Sequence, residues 1–110
     1  MINESFALKI ELKIEFDGNL QELGKLLTNK LSLPDFWYDT SEDPPHVLIG
    51  YCEFFGFELE IFSYNINEKL YLLKVFTTDS FDEIANKRIY DLSVWYSKYI
   101  SYICKLKTFI

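Results

Sequence analysis

Few residues in this chain could do covalent or metal chemistry. There is one histidine, His46, which follows Pro44-Pro45, with Ser41 and Asp43 shortly before it and Cys52 after it. Nucleophilic catalysis needs a nucleophile, a base and an orienting acid converging on one point. Ser41, His46 and Asp43 are the right types, but closeness in sequence does not supply that geometry. A zinc site needs further His or Cys at close spacing, and Cys52 is the one nearby candidate. Glu58 and Glu60 resemble a carboxylate pair. Glycosidase carboxylates, however, face each other across a cleft and usually come from different elements, so two glutamates on one strand face read as a solvated surface. No G-x-G-x-x-G or G-x-x-x-x-G-K-[ST] occurs, and the glycines Gly18, Gly24, Gly50 and Gly56 are dispersed. Residues 35–43 lack the D-x-[DN]-x-[DN]-G pattern of a calcium loop. The expectation is a protein that is not an enzyme and has no catalytic residues, no metal and no cofactor. An enzyme built on His46 is the reading these residues support least.

What the chain offers instead is surface. Residues 35–45 read Asp-Phe-Trp-Tyr-Asp-Thr-Ser-Glu-Asp-Pro-Pro, with acids and adjacent aromatics and no basic residue. Aromatics give contact area at low entropy cost, and acids around them match Lys or Arg on a partner. The candidate binding residues are therefore Asp35, Trp37, Tyr38, Asp39, Glu42 and Asp43. Glu58 and Glu60, together with Glu53, extend the same acidic surface if this segment folds over that sheet edge. The plainer alternative is that Phe36 or Trp37 plugs the edge of the core while the acids are merely solvated. Net charge supports a basic protein partner: at −6 the chain repels a phosphate backbone and attracts cationic surfaces. Ten Phe, eight Tyr and two Trp in 110 residues exceed what a small core needs, so some rings belong at an interface.

The elements that must position these residues follow from periodicity. Over residues 5–16, Phe6, Leu8, Ile10, Leu12, Ile14 and Phe16 alternate with Ala7, Lys9, Glu11, Lys13 and Glu15, which makes a strand with one apolar and one charged face. Asp17-Gly18 is a turn. Asn19 caps a helix, with Glu22 as its capping-box partner, and Leu20, Leu23, Leu27 and Leu31 form a stripe expected to lie across the first strand. Leu33-Pro34 stops it. The Pro pair makes residues 35–45 a stiff loop. Strands are expected over residues 47–53, 57–64 and 70–77. The strand over residues 57–64 places Phe57, Leu59 and Ile61 opposite Glu58 and Glu60, and the last, apolar on both faces, is central. Phe54-Phe55-Gly56 is a turn or a bulge, and residues 65–68 a hairpin turn. Residues 78–87 could hold one helical turn, and residues 88–90 could extend a strand. A helix then starts at Asp91 or Ser93, with Leu92, Trp95, Tyr96, Tyr99, Ile100, Ile103 and Leu106 as its stripe and Lys105 and Lys107 in its last turn.

The fold class implied is α+β: one domain over residues 1–110, a two-layer sandwich with a mainly antiparallel sheet, both helices on one face, and β-α-β-β-β-α order. Cys52 and Cys104 are expected as buried free thiols, with a disulfide still open. No signal peptide is read at the start. Residues 89–110 carry too many charges and serines for a membrane span.

Size, acidity and element order together resemble the small acidic immunity proteins of bacterial polymorphic toxin systems, especially those of contact-dependent growth inhibition. The stretches Gly56-Phe57-Glu58-Leu59-Glu60-Ile61-Phe62 and Ile89-Tyr90-Asp91-Leu92-Ser93, with the aromatic helix after them, carry the likeness. The resemblance implies a cytoplasmic protein that binds the C-terminal domain of its cognate toxin, often a basic nuclease, and masks the active site, with no nucleic-acid or membrane partner of its own. The alternative is a small regulatory or ligand-binding domain that pairs with itself, as a homodimer, through Trp95, Tyr96 and Tyr99.

Overall fold

The alternating stretch becomes the strand on which the other elements assemble. In the computed structural model, which describes residues 5–40, 48–65, 69–77 and 87–110, β1 (Ser5–Glu15) buries Ile10, Leu12 and Ile14 almost completely and leaves Lys9 and Glu15 exposed. One edge of β1 pairs antiparallel with β5 (Leu70–Thr77). The other edge is shared. β6 (Lys87–Asp91) runs parallel to its first half, and β7 (Lys107–Phe109) runs antiparallel to its last residues. Where β6 stops and β7 has not begun, the Glu11 N–H donates to Ser93 Oγ at 2.9 Å, so a side chain stands in for the missing strand.

With β2 (Trp37–Thr40), β3 (Leu48–Phe54) and β4 (Phe57–Asn65) added, the seven-stranded sheet has the order β2-β3-β4-β5-β1-β6, with β7 beside β1. Among the described residues, only the β1–β6 pairing is parallel. The α+β class and the mainly antiparallel sheet agree with the sequence, and β5 is central as its two apolar faces require. The order differs: among the described residues it is β-α-β-β-β-β-β-α-β.

Two of the extra strands correct specific expectations. Trp37 to Thr40 form an edge strand rather than part of a stiff loop. Four residues are too few to show a period, but aromatic and β-branched types suit a pleated edge, and Trp37 sits opposite Tyr51 in the register. The second helix, α2 (Ser93–Cys104), does not run on through Leu106. Lys105 takes a left-handed backbone (φ 57°) and ends it, so Lys107 lies in β7 instead of the last helical turn. Thr108 then hydrogen-bonds Ser97, Oγ to Oγ at 2.6 Å and Oγ1 to the Ser97 carbonyl at 2.8 Å, and so ties β7 to α2. Phe54-Phe55-Gly56 resolves as a two-residue hairpin turn, with φ positive at both Phe55 (53°) and Gly56 (83°), the signature of the turn whose twist matches its strands. Of the turn expected over residues 65–68 and the helical turn expected over residues 78–87, residues 66–68 and 78–86 lie outside the described residues, while Asn65 ends β4 and Lys87 begins β6.

α1 (Leu20–Leu31) has the expected capping box: Glu22 N–H donates to Asn19 Oδ1 and the Glu22 side chain accepts from the Asn19 N–H. It buries Leu20, Leu23, Gly24 and Leu27. It lies over β3 and β4, not across β1. The surface of β1 and β7 is covered by α2, and the two helices touch. Over the sheet, residues of both helices help line an open apolar cleft of about 250 Å³, among them Leu31, Leu33, Phe57, Tyr96 and Tyr99. Cys52 and Cys104 are both buried and free. Burial pushes both thiols above the ordinary value of 9.0.

Candidate binding face

With both helices on one side, the register fixes which side chains face away from them. Alternation along β3 and β4 puts Gly50, Cys52, Leu59 and Ile61 on the helix side. It puts Tyr51, Glu53, Glu58, Glu60 and Phe62 on the open side. β2 adds Trp37 and Asp39 to the open side, because Trp37 pairs with Tyr51 and Asp39 with Ile49. β5 adds Leu72, Lys74 and Phe76. For an outward face this one is rich in apolar surface: Leu72 is only 7 % exposed, while Trp37 remains 61 % exposed.

The charges on this face fall into two zones. Along β1 and β7 they are matched: Lys9 pairs with Glu11 at 3.8 Å and Lys107 with Glu15 at 4.0 Å. Across β2, β3 and β4, Asp39, Glu53, Glu58 and Glu60 form no ion pair among the described residues. Glu53 stands directly opposite Glu58, a like-charge arrangement that a sheet disfavours. Lys74 is opposite Glu60 in the register, yet its Nζ lies over the Phe62 ring, 5.7 Å from the centroid. Lys13 similarly sits over Tyr64 at 4.4 Å. The nearby cations thus face rings, and the carboxylates stay unmatched.

These carboxylates surround an aromatic platform. Trp37 stacks on Tyr51, with centroids 4.6 Å apart and planes 27° from parallel. Partial desolvation raises the Tyr51 phenol above its ordinary value of 10.0, and the charges of Glu60 and Asp39 raise it further. That coupling brings acids from β2 and β4 around one ring on β3. A flat aromatic pair fenced by carboxylates is suited to a guanidinium or ammonium group on a partner.

Of the residues expected at the interface, Trp37, Asp39, Glu58 and Glu60 share this face, and Glu53 joins them. Tyr51 is an addition; its signal was the alternation of Tyr51 and Glu53 against Gly50 and Cys52. Tyr38 points the other way. Its ring enters a slot between α1 and β3 where both walls are glycine. A Cβ on Gly24 would lie 2.1 Å from the Tyr38 Oη, and one on Gly50 would lie 2.8 Å from its Cε1. The hydroxyl donates a long bond to the Gln21 carbonyl at 3.5 Å. Tyr38 therefore docks β2 to the helix layer and is not a contact for a partner on the open face. Asp35 is exposed before β2; burial raises the pKa values of Tyr38 and Cys52, both on the helix side, and the Asp35 charge raises them further. Phe36 is buried in the core, so of the two rings offered as a plug it is Phe36 and not Trp37. Glu42, Asp43, Ser41 and His46 lie outside the described residues. Among the described residues, no three His, Cys, Asp or Glu side chains are grouped so as to hold a metal ion, and no helix is long and apolar enough to cross a membrane.

No protein-family model, no curated protein and no solved structure matches the chain.

Proposed function

We propose that this chain is a binding protein that works through the open face of its sheet, and that its partner is a basic protein domain. The observation that carries this is the set of unmatched carboxylates, Asp39, Glu53, Glu58 and Glu60, around the stacked Trp37–Tyr51 pair. A surface that keeps a like-charge cross-strand pair gives up stability, which is compensated when a cation arrives. The acidity of the whole chain steers a basic partner toward it. Combined with the resemblance drawn from the sequence, the specific reading is a cytoplasmic immunity protein. It occupies the cationic cleft of its cognate toxin's C-terminal domain, its carboxylates standing where substrate phosphates would lie. No bond is made or broken on it.

The test is a titration of the combined Asp39→Lys, Glu53→Lys, Glu58→Lys and Glu60→Lys variant against the C-terminal domain of the cognate toxin. Close interfacial charge pairs contribute roughly 1.5–7 kcal/mol in coupling measurements, so a loss of at least about 100-fold in affinity is expected. Circular dichroism of the variant checks that it is folded. A folded variant with unchanged affinity would move the interface off this face.

A further inference from the structure

α2 packs Tyr96, Ile100 and Ile103 against the core but keeps three other rings outside. The stripe it buries is Ser93, Ser97, Ile100 and Cys104, while Trp95, Tyr99 and Tyr102 point to solvent. Trp95 is 57 % and Tyr102 72 % exposed. An exposed aromatic stripe at i, i+4 and i+7 is the pattern with which a helix face meets a partner. The rings are already arranged: Trp95 stacks on Tyr99, with centroids 5.2 Å apart and planes 14° from parallel, and Tyr96 meets both edge-on. Little side-chain freedom is left to lose on binding.

The two margins of the stripe differ. On one side Tyr96 and Tyr99 pass into the apolar cleft of about 250 Å³ between the helices. A cavity of about 150 Å³ can hold benzene, so one bulky apolar side chain fits. On the other side are Lys98 and Lys105, and no acid occurs from Ser93 to Cys104 in a chain whose net charge is −6. The carboxylate of Asp91, just before the helix, is engaged by the N–H and Oγ of Ser93. A second copy laid antiparallel on this face would set these lysines against their counterparts.

We infer that the outer face of α2 is a second docking surface, which takes an acidic segment of another protein, with one large apolar side chain seated in the cleft and carboxylates against Lys98 and Lys105. It lies on the opposite layer from the acidic sheet face and does not depend on that face's function. A random copolymer of Glu and Tyr is the probe, read by Trp95 emission in a Trp37→Phe variant at about 0.15 M salt, where only charges within about 8 Å act strongly. Saturable quenching or enhancement is expected, weakened about tenfold or more by Lys98→Glu with Lys105→Glu, and about tenfold weaker for poly-Glu, which lacks the anchor. Both lysines are exposed, so the charge reversal spares the fold. The inference is overturned if the copolymer leaves Trp95 emission unchanged, if a Lys–Tyr copolymer acts equally well, or if charge reversal has no effect. It is also overturned if light scattering finds dimers that occlude Trp95.

Discussion

Replacing Gly24 with alanine tests how β2, and with it the aromatic platform, is docked. In a helix interior alanine is favoured over glycine by about 1 kcal/mol, and Gly24 lies inside α1. Here the new Cβ would sit 2.1 Å from the Tyr38 Oη. The ring cannot simply retreat, because its other flank meets Gly50 and Ile61. Overpacking of this kind costs roughly 1–3 kcal/mol, so Gly24→Ala is expected to destabilise the protein by about 1 kcal/mol net. Tyr38→Phe removes the clashing atom, and the bond lost with it is the long one to the Gln21 carbonyl, worth about 0.5 kcal/mol. In that background the nearest remaining atom is Cζ, at 3.3 Å, and alanine regains most of its helix advantage. The double mutant should therefore be more stable than Tyr38→Phe alone, with a coupling of about 2 kcal/mol between the two sites. Urea unfolding followed by tryptophan emission measures this. With a slope of about 1–3 kcal/mol per molar, the coupling is roughly a 1 M difference in midpoint. If Gly24→Ala stabilises the protein equally in both backgrounds, Tyr38 does not occupy the slot and the docking of β2 described above is wrong.

Phe55, 88 % exposed with φ at 53°, holds a conformation that costs an ordinary residue about 1–2 kcal/mol and asparagine less; Phe55→Asn should raise the melting temperature by a few degrees. Glu58→Lys relieves the repulsion from Glu53 across the hairpin and should stabilise by about 0.5 kcal/mol, more at low salt than at high, while weakening the basic partner. Hydrogen bonds from the Ser93 hydroxyl and N–H hold Asp91 below its ordinary 3.8. Its contribution is thus present above that value and lost as pH falls through the lower folded one, and Ser93→Ala should flatten the acid limb of a urea midpoint-versus-pH curve. Burial raises Cys52 and Cys104 above 9.0, so their contribution holds below pH 9 and is lost as pH rises beyond it. Both thiols should also react with an aromatic disulfide reagent at pH 8 only as fast as the protein unfolds.

The strands with both a period and a buried face could be read directly. β1, β4 and β5 alternate or run apolar over eight or more residues, and the face of Glu58 and Glu60 followed from that alternation alone. The capping box at Asn19 and Glu22 was equally local. β2 and β7, at four and three residues, carry no period of their own and exist because a neighbour offers an unpaired edge. The site was legible in type and only partly in place. Acid and aromatic residues of the 35–45 stretch do contribute, but strand geometry splits neighbours: Trp37 and Asp39 go to the open face, Phe36 and Tyr38 to the helix side. Nothing in composition reveals that split until the stretch is known to be a strand.

The rotation of α2 shows how hydrophobic periodicity can draw a stripe too wide: Leu92, Tyr96, Ile100, Ile103 and Leu106 of the expected stripe pack on the core, while Trp95 and Tyr99 at its margin face outward. Beside these apolar contacts run two further stripes, one of large aromatics that is exposed and one of small residues that is buried. Apolar area alone favours burying the first. The small stripe wins where the helix must also satisfy polar groups of the sheet it covers. Ser93 accepts the Glu11 N–H in the gap between β6 and β7, and Ser97 meets the Thr108 hydroxyl of β7. A tryptophan or tyrosine in either place would hold α2 away from β1 and leave the Glu11 amide without its partner, at a cost of about 1–3 kcal/mol for such a group. The hydroxyls that close the sheet's broken edge are therefore the reason the rings face outward. The exposed Trp95–Tyr99–Tyr102 stripe is then the counterpart of a structural repair on β1, and a surface made available in this way can serve a partner without any change to the core.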